Sequence, residues 1–244
     1  MLPVLSVPVF DVNLPSNGKK IQIRPYLVKE QKILLMAQFS DSEMDVFSAI
    51  KTVLESCIVT PGIDVGKLPR FDVEYLFLKL RSKSVSELIE LSYKCMNTVN
   101  DKECGGSFKH TLDVEKLTVP VIRDKKNGTI TLTPEVGIKL KYPSFEVLEK
   151  YSSVISEEGR TELDKVFSLI YECTENVYTK DEVFTEFGET EFVTWMETLS
   201  DKQFSKIMEF FDHIPKLHYE IPFKCPVCGY EEKIELSSLA DFFA

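Results

Sequence analysis

The strongest constraint on this chain lies near its end, in Cys225-Pro226-Val227-Cys228-Gly229. An alternating segment, Leu217 to Phe223, runs into it, and a second, Tyr230 to Leu236, runs out. Alternation at period two marks half-buried strands, so the stretch predicts a β-hairpin whose tip is a Cys-x-x-Cys-Gly knuckle. Two sulfurs one tight turn apart supply half of a tetrahedral metal site, and the glycine accepts the left-handed backbone the turn needs. The other half must come from elsewhere.

The middle of the chain offers it. Ser86 to Cys95 alternates, eight residues follow, and Cys104-Gly105-Gly106 leads into another alternating segment, Ser107 to Val114. The two stretches match beyond their cysteines. Tyr93-Lys94-Cys95 parallels Phe223-Lys224-Cys225, Cys104-Gly105 parallels Cys228-Gly229, and Leu112 to Leu117 parallels Ile234 to Leu239. This is a loose pseudo-repeat, and it predicts one structural zinc held by Cys95, Cys104, Cys225 and Cys228. Thiolates are soft ligands suited to a closed tetrahedral site with bonds of about 2.3 Å, and four of them leave no position for catalysis. The alternative is four buried thiols. His218 is a substitute ligand should one of the central cysteines be free. A redox pair is disfavoured, because a redox Cys-x-x-Cys normally opens a helix that lowers the first thiol's pKa. Cys57 and Cys173 fall on apolar helix faces and read as core residues.

Six cysteines in 244 residues are too sparse for a disulfide scaffold. A 43% apolar and 28% charged composition predicts a packed core with little disorder. The net charge of −10 argues against a sequence-independent grip on nucleic acid or an anionic membrane. No leader-like start and no apolar run near twenty residues is present, so a soluble protein made in the cytoplasm is expected.

From the start, Val4–Leu14 and Lys20–Ile23 flank Pro15-Ser16-Asn17-Gly18, a hairpin signal. Pro3, Pro8 and Pro25 make that hairpin an edge or an arm laid on another surface, and such an arm is equally able to pair with a partner's sheet. Tyr26–Gln38 turns helical, Asp41 or Ser42 caps the next helix, and Asp72 caps a third whose apolar run Val73–Leu80 marks the central core helix. Asn127-Gly128 joins Val119–Ile122 to Thr129–Leu132, Ile138–Tyr142 alternates, and Pro143-Ser144 starts a helix. Ser152–Gly159 is a polar linker, and Glu162–His213 reads as helical throughout, with Ser200 and Gln203 starting the last helix. The predicted fold class is α+β, helix-rich with short hairpins, two of them zinc-ribbon-like. The predicted parts are 1–150 with the hairpin arm and first knuckle, 151–215 helical, and 216–244 with the second knuckle and an aromatic tail packed on the first part.

No Ser-His-Asp order, phosphate-binding glycine loop or catalytic carboxylate pair is present, so no enzyme is expected. Phe10 of the hairpin arm and Leu239, Phe242 and Phe243 of the tail are the candidate partner-binding residues, the last three because an apolar tail at a chain end is hard to bury within its own domain.

Two blocks carry a family likeness: Ile23-Arg24-Pro25-Tyr26-Leu27-Val28-Lys29-Glu30-Gln31-Lys32-Ile33-Leu34-Leu35-Met36, and Leu68-Pro69-Arg70-Phe71-Asp72-Val73-Glu74-Tyr75-Leu76-Phe77-Leu78-Lys79-Leu80-Arg81. With the two knuckles and the closing Leu239-Ala240-Asp241-Phe242-Phe243, the chain resembles the baseplate hub proteins of T4-type contractile-tailed phages. That resemblance implies a structural or assembly role in the central hub, other hub and tail proteins as partners, and homo- or hetero-oligomers. It also implies residence in the host cytoplasm during assembly and then in the virion baseplate. The family holds both a hub subunit and a transient assembly factor, and either fits. A reading from another class is a zinc-ribbon nucleic-acid-binding protein, against which stand the acidic charge and the lack of a basic cluster beside either knuckle.

Overall fold

A computed structural model describes residues 5–40, 43–99, 101–117, 128–154 and 161–236. Two compact units share the chain: Met1–Ile63, Phe71–Val121 and Pro215–Ala244 form one, and Asp64–Arg70 with Ile122–Ile214 form the other. The sequence boundaries at 150 and 215 divide the chain differently. The strand at residues 136–140 falls in the second unit, because it pairs with a strand at 174–179, inside the stretch read as helical.

In the first unit, β1 (Phe10–Asn13) and β2 (Lys20–Ile23) form an antiparallel hairpin around the Asn17-Gly18 turn. Its inner face, Val12, Leu14, Ile21 and Ile23, is fully buried, so the predicted arm is laid on its own unit. Chain after α2 (Glu43–Cys57) continues beside β2, with Ile23 bridging Ile58 and the Val59 N–H donating to the Gln22 carbonyl at 2.8 Å. α1 (Val28–Gln38) is started by Glu30, which accepts from the Leu27 N–H at 2.8 Å. Glu30 is itself buried, and the Arg24 guanidinium at 2.9 Å and the Lys29 ammonium at 3.4 Å compensate its charge. The proposed caps Asp41 and Ser42 lie outside the described residues.

α3 (Arg70–Ser84) is the core helix the apolar run predicted, with Phe71, Val73, Leu76, Phe77, Leu78 and Leu80 all buried. Asp72 is not its cap. The helix begins two residues earlier, and the Asp72 carboxylate instead accepts the Ser16 N–H at 2.9 Å and the Ser16 hydroxyl. This tie spans 56 residues of sequence, which no local pattern reveals. β3 (Leu88–Lys94), the short pair β4 (Thr98–Val99) and β5 (Lys102–Glu103), and β6 (Ser107–Asp113) follow. β3 and β6 pair antiparallel from Leu88↔Asp113 to Lys94↔Ser107. A 3₁₀ turn, Val114–Lys116, then places Glu115 where Lys79 (2.9 Å) and Lys83 (3.0 Å) pair with it and the Ser82 hydroxyl donates to it (2.7 Å).

The second unit carries a four-stranded antiparallel sheet of β7 (Thr129–Thr131), β8 (Val136–Leu140), β9 (Thr174–Thr179) and β10 (Val183–Phe184), ordered β10-β9-β8-β7. Val119–Ile122, the expected partner of Thr129–Leu132, lies outside the described residues; β7 pairs with β8. α4 (Phe145–Val154) follows β8 and takes in residues 152–154 of the proposed linker, whose residues 155–159 are outside the described set. α5 (Glu162–Cys173), α6 (Glu189–Met196) and α7 (Asp201–Asp212) provide the helices. The capping box of Ser200 and Gln203 starts α7 as its sequence predicts.

The reading of Glu162–His213 as unbroken helix is corrected by β9 and β10. At Thr174 the period changes from 3.6 to 2, and Thr-Glu-Asn-Val-Tyr-Thr supplies the β-branched and aromatic residues that suit a strand. Leu132, Ile138, Leu140, Phe167, Ile170, Phe192, Met196 and Ile207 form this unit's core.

In the first unit the chain closes with β11 (Tyr219–Lys224) and β12 (Glu231–Leu236), paired from Tyr219↔Leu236 to Lys224↔Glu231. The molecule is thus mixed helix and small antiparallel sheets.

Candidate metal centre

The two knuckles share one backbone. In the second, the Cys225 N–H donates to the Tyr230 carbonyl (2.8 Å) and the Gly229 N–H to the Cys225 carbonyl (3.0 Å). In the first, the Cys95 N–H donates to the Gly106 carbonyl (2.8 Å) and the Gly105 N–H to the Cys95 carbonyl (3.2 Å). Gly105 and Gly229 both sit at positive φ, +60° and +72°. The difference in spacing is absorbed locally. The Cys104 N–H donates to the Asn97 carbonyl at 2.8 Å, so the chain leaves the knuckle along β4 and returns to it along β5. Met96 and Asn97 therefore stand where Pro226 and Val227 stand in the other knuckle. The pseudo-repeat is geometric.

Both hairpins belong to the first unit and bring their four sulfurs together. The Cys95 and Cys228 Sγ atoms are 3.7 Å apart, as are those of Cys104 and Cys225, and all four lie within 4.8 Å of one another. Bonds of about 2.3 Å to a tetrahedral centre require sulfur–sulfur edges of about 3.8 Å. A covalent S–S bond is about 2.05 Å, and all four cysteines are free thiols. Cys95 and Cys225 are buried and Cys104 and Cys228 half-buried, so the centre is screened on one side and open at the tips.

The backbone is arranged to stabilise thiolate. Each sulfur receives the N–H of the residue two positions on: Asn97 for Cys95, Gly106 for Cys104, Val227 for Cys225 and Tyr230 for Cys228. Cys228 is brought down to about 6, chiefly by the Tyr230 N–H. Cys225 is lowered, first by the Cys228 N–H and then by that of Val227. Burial pushes Cys95 up to about 12 against the Asn97 N–H. At Cys104 the Gly106 N–H lowers the pKa, but burial and the neighbouring sulfurs outweigh it and the thiol is raised. Four thiols this close cannot all ionise without a cation among them, which is the condition a soft divalent metal meets. The donor set and its geometry fit zinc.

Two supporting residues escaped the sequence reading. The Asn97 side-chain amide reaches the Cys228 sulfur at 3.7 Å, tying one knuckle to the other. Gly106 leaves room for the opposite knuckle, since a Cβ there would lie 2.8 Å from the Cys225 sulfur. The second glycine of Cys-Gly-Gly was the available signal.

His218, weighed as a substitute ligand, stands 3.5 Å from Glu220 and is half exposed. Cys57 and Cys173 are fully buried, and burial raises their thiols to about 11 and about 12. Phe10 is half-buried with the Lys83 ammonium 5.5 Å above its ring, while Leu239, Phe242 and Phe243 lie outside the described residues. No helix among the described residues is long and apolar enough to cross a membrane.

Comparison with known proteins gives one answer. No curated protein and no solved structure matched. A family model described as "T4 bacteriophage base plate protein" matches residues 7–244, and the chain belongs to that family.

Proposed function

We propose that this base plate protein is a non-enzymatic component of the central hub of a contractile tail, working by docking other base plate proteins. Membership of the family assigns it a structural or assembly role in the phage base plate, at the virion tail. The finer reading rests on the convergence of Cys95, Cys104, Cys225 and Cys228. A zinc ion there would cross-link two hairpin tips that are 121 to 133 residues apart in sequence, making one rigid element of them. Its tips offer apolar contacts: Met96 and Val227 are 74% and 71% exposed. Leu239, Phe242 and Phe243 follow β12 and serve as further anchors, and assembly takes place in the host cytoplasm.

Quantitative mass spectrometry of purified particles tests the hub role. A fixed number of chains per base plate is the expected result. A chain required for assembly but absent from purified tails would overturn it in favour of a transient assembly factor.

A further inference from the structure

The second unit holds a groove that the metal centre does not explain. Val177, Phe184, Phe187 and Trp195 line it, and Glu186 and Glu191 stand in its wall. Its cavity volume, about 330 Å³, is at the small end of ligand pockets (roughly 300–1,000 Å³), which suits a peptide anchor better than a large cofactor. Aromatic walls of this kind are normally filled. Here Phe184 remains 44% exposed and its neighbour Val183 63%.

Two further observations say what fills it. β10 is the outer strand of its sheet among the described residues, pairing only with β9. The Thr179 N–H donates to the Glu182 carbonyl at 2.8 Å, and antiparallel pairing alternates, so the Val183 N–H and C=O point out to the open edge. The edge is therefore able to accept one more strand beside the groove. The charge is one-sided: residues 181–191 read Asp-Glu-Val-Phe-Thr-Glu-Phe-Gly-Glu-Thr-Glu, with five carboxylates and no Lys or Arg. Glu189 is engaged by the Ser168 hydroxyl at 2.6 Å, whereas Glu186 and Glu191 are exposed and have no ion-pair partner among the described residues. Helix-dipole stabilisation accounts for Glu191 in the first turn of α6, but not for Glu186, which precedes the helix.

We infer that this groove and the β10 edge bind an extended segment of another protein, which adds a strand beside β10, sinks an apolar side chain between Phe184 and Trp195, and pairs a Lys or Arg with Glu186 and Glu191. The base plate reading supplies only the partner's origin, since the groove's chemistry stands on the second unit alone.

Trp195 is the sole tryptophan, so its emission reports on the groove directly. The probe is a displayed library of random nonapeptides, selected on the full-length protein and counter-selected on E186K/E191K. Enriched peptides should carry an apolar residue within two positions of a Lys or Arg. Made synthetically, they should shift Trp195 emission saturably and lose about tenfold in affinity to E186Q/E191Q. No enrichment, enrichment of peptides without a basic residue, or binding that leaves Trp195 emission unchanged would each overturn the inference. Zinc content reads the other unit, so failure here and failure of the metal clamp are separable.

Discussion

The paired knuckles and the second unit's core solve the same problem in opposite ways. Where the two knuckles meet, Cys95, Phe223 and Cys225 form a small buried cluster, with Cys104, Phe108, Cys228 and Ile234 partly buried against it. The second unit buries eight aliphatic and aromatic residues and lays rings such as Phe187 on Phe192, 5.5 Å apart, over them. At about 25 cal/mol per Å² of apolar surface, a cluster of this size adds little to the register of the two tips, whereas a layered aromatic core can hold a sheet. Farther along these strands Ile89, Leu91, Leu112, Ile221 and Leu236 are buried, whereas at the tips ligation takes the place of burial. The knuckle region should therefore depend on metal and the second unit on packing.

The largest expected effect separates the two. Cys95→Ser and Cys228→Ser should each abolish metal binding, and the double variant should cost little more than either alone, because one site is lost once. Hydrogen exchange should then show protection falling across β3, β6, β11 and β12 while β8 and β9 keep theirs. Additive losses would mean the two knuckles do not share a metal.

The mirror experiment is Phe192→Ala, which opens a cavity in the aromatic core and should cost about 3–5 kcal/mol by denaturant unfolding. Zinc stoichiometry should be unchanged. A fall in bound zinc would show that the two regions are not energetically distinct.

Gly106→Ala is subtler. Its Cβ would press on the Cys225 sulfur at 2.8 Å and the Val227 side chain at 3.0 Å, so the hairpins must part slightly. Overpacking of this kind costs about 1–3 kcal/mol, read as weaker zinc affinity in a chelator competition. Tyr230→Ala, at the equivalent place in the other knuckle, should leave affinity nearly unchanged.

A pH effect sharpens the picture inside the first unit. Glu115 is held down to about 2 against an ordinary 4.5: burial opposes this, but Lys79, Ser82 and Lys83 outweigh it. Its folded pKa lies below its unfolded one, so its stabilisation is present above about 4.5 and is lost as pH falls toward about 2. Glu115→Gln should lower stability at neutral pH and flatten acid unfolding in that window. The smallest effect belongs to exposed pairs such as Lys233 with Glu220, where Lys233→Ala should cost under about 1 kcal/mol and leave zinc untouched.

Much of this was legible in the sequence because it is local. The alternation around Cys225 and Cys228, the apolar run of α3 and the Ser200–Gln203 start of α7 each fix structure within a few residues of themselves. What escaped is non-local. β9 hides between two helices, and its place is set by β8, where Val136 meets Thr179 across more than forty residues. Asp72 has the sequence of a cap but answers to Ser16. The fit of Gly106 against Cys225 and the reach of Asn97 to Cys228 exist only once the knuckles meet. The pseudo-repeat hinted at that meeting, but a six-residue excursion into β4–β5 disguised it.

Metal analysis of the purified protein, with and without Cys225→Ser, tests the shared centre most directly. One zinc per chain, lost in the variant, is the predicted result. Metal-free protein after reduced, chelator-free preparation, or zinc retained by Cys225→Ser, would contradict it.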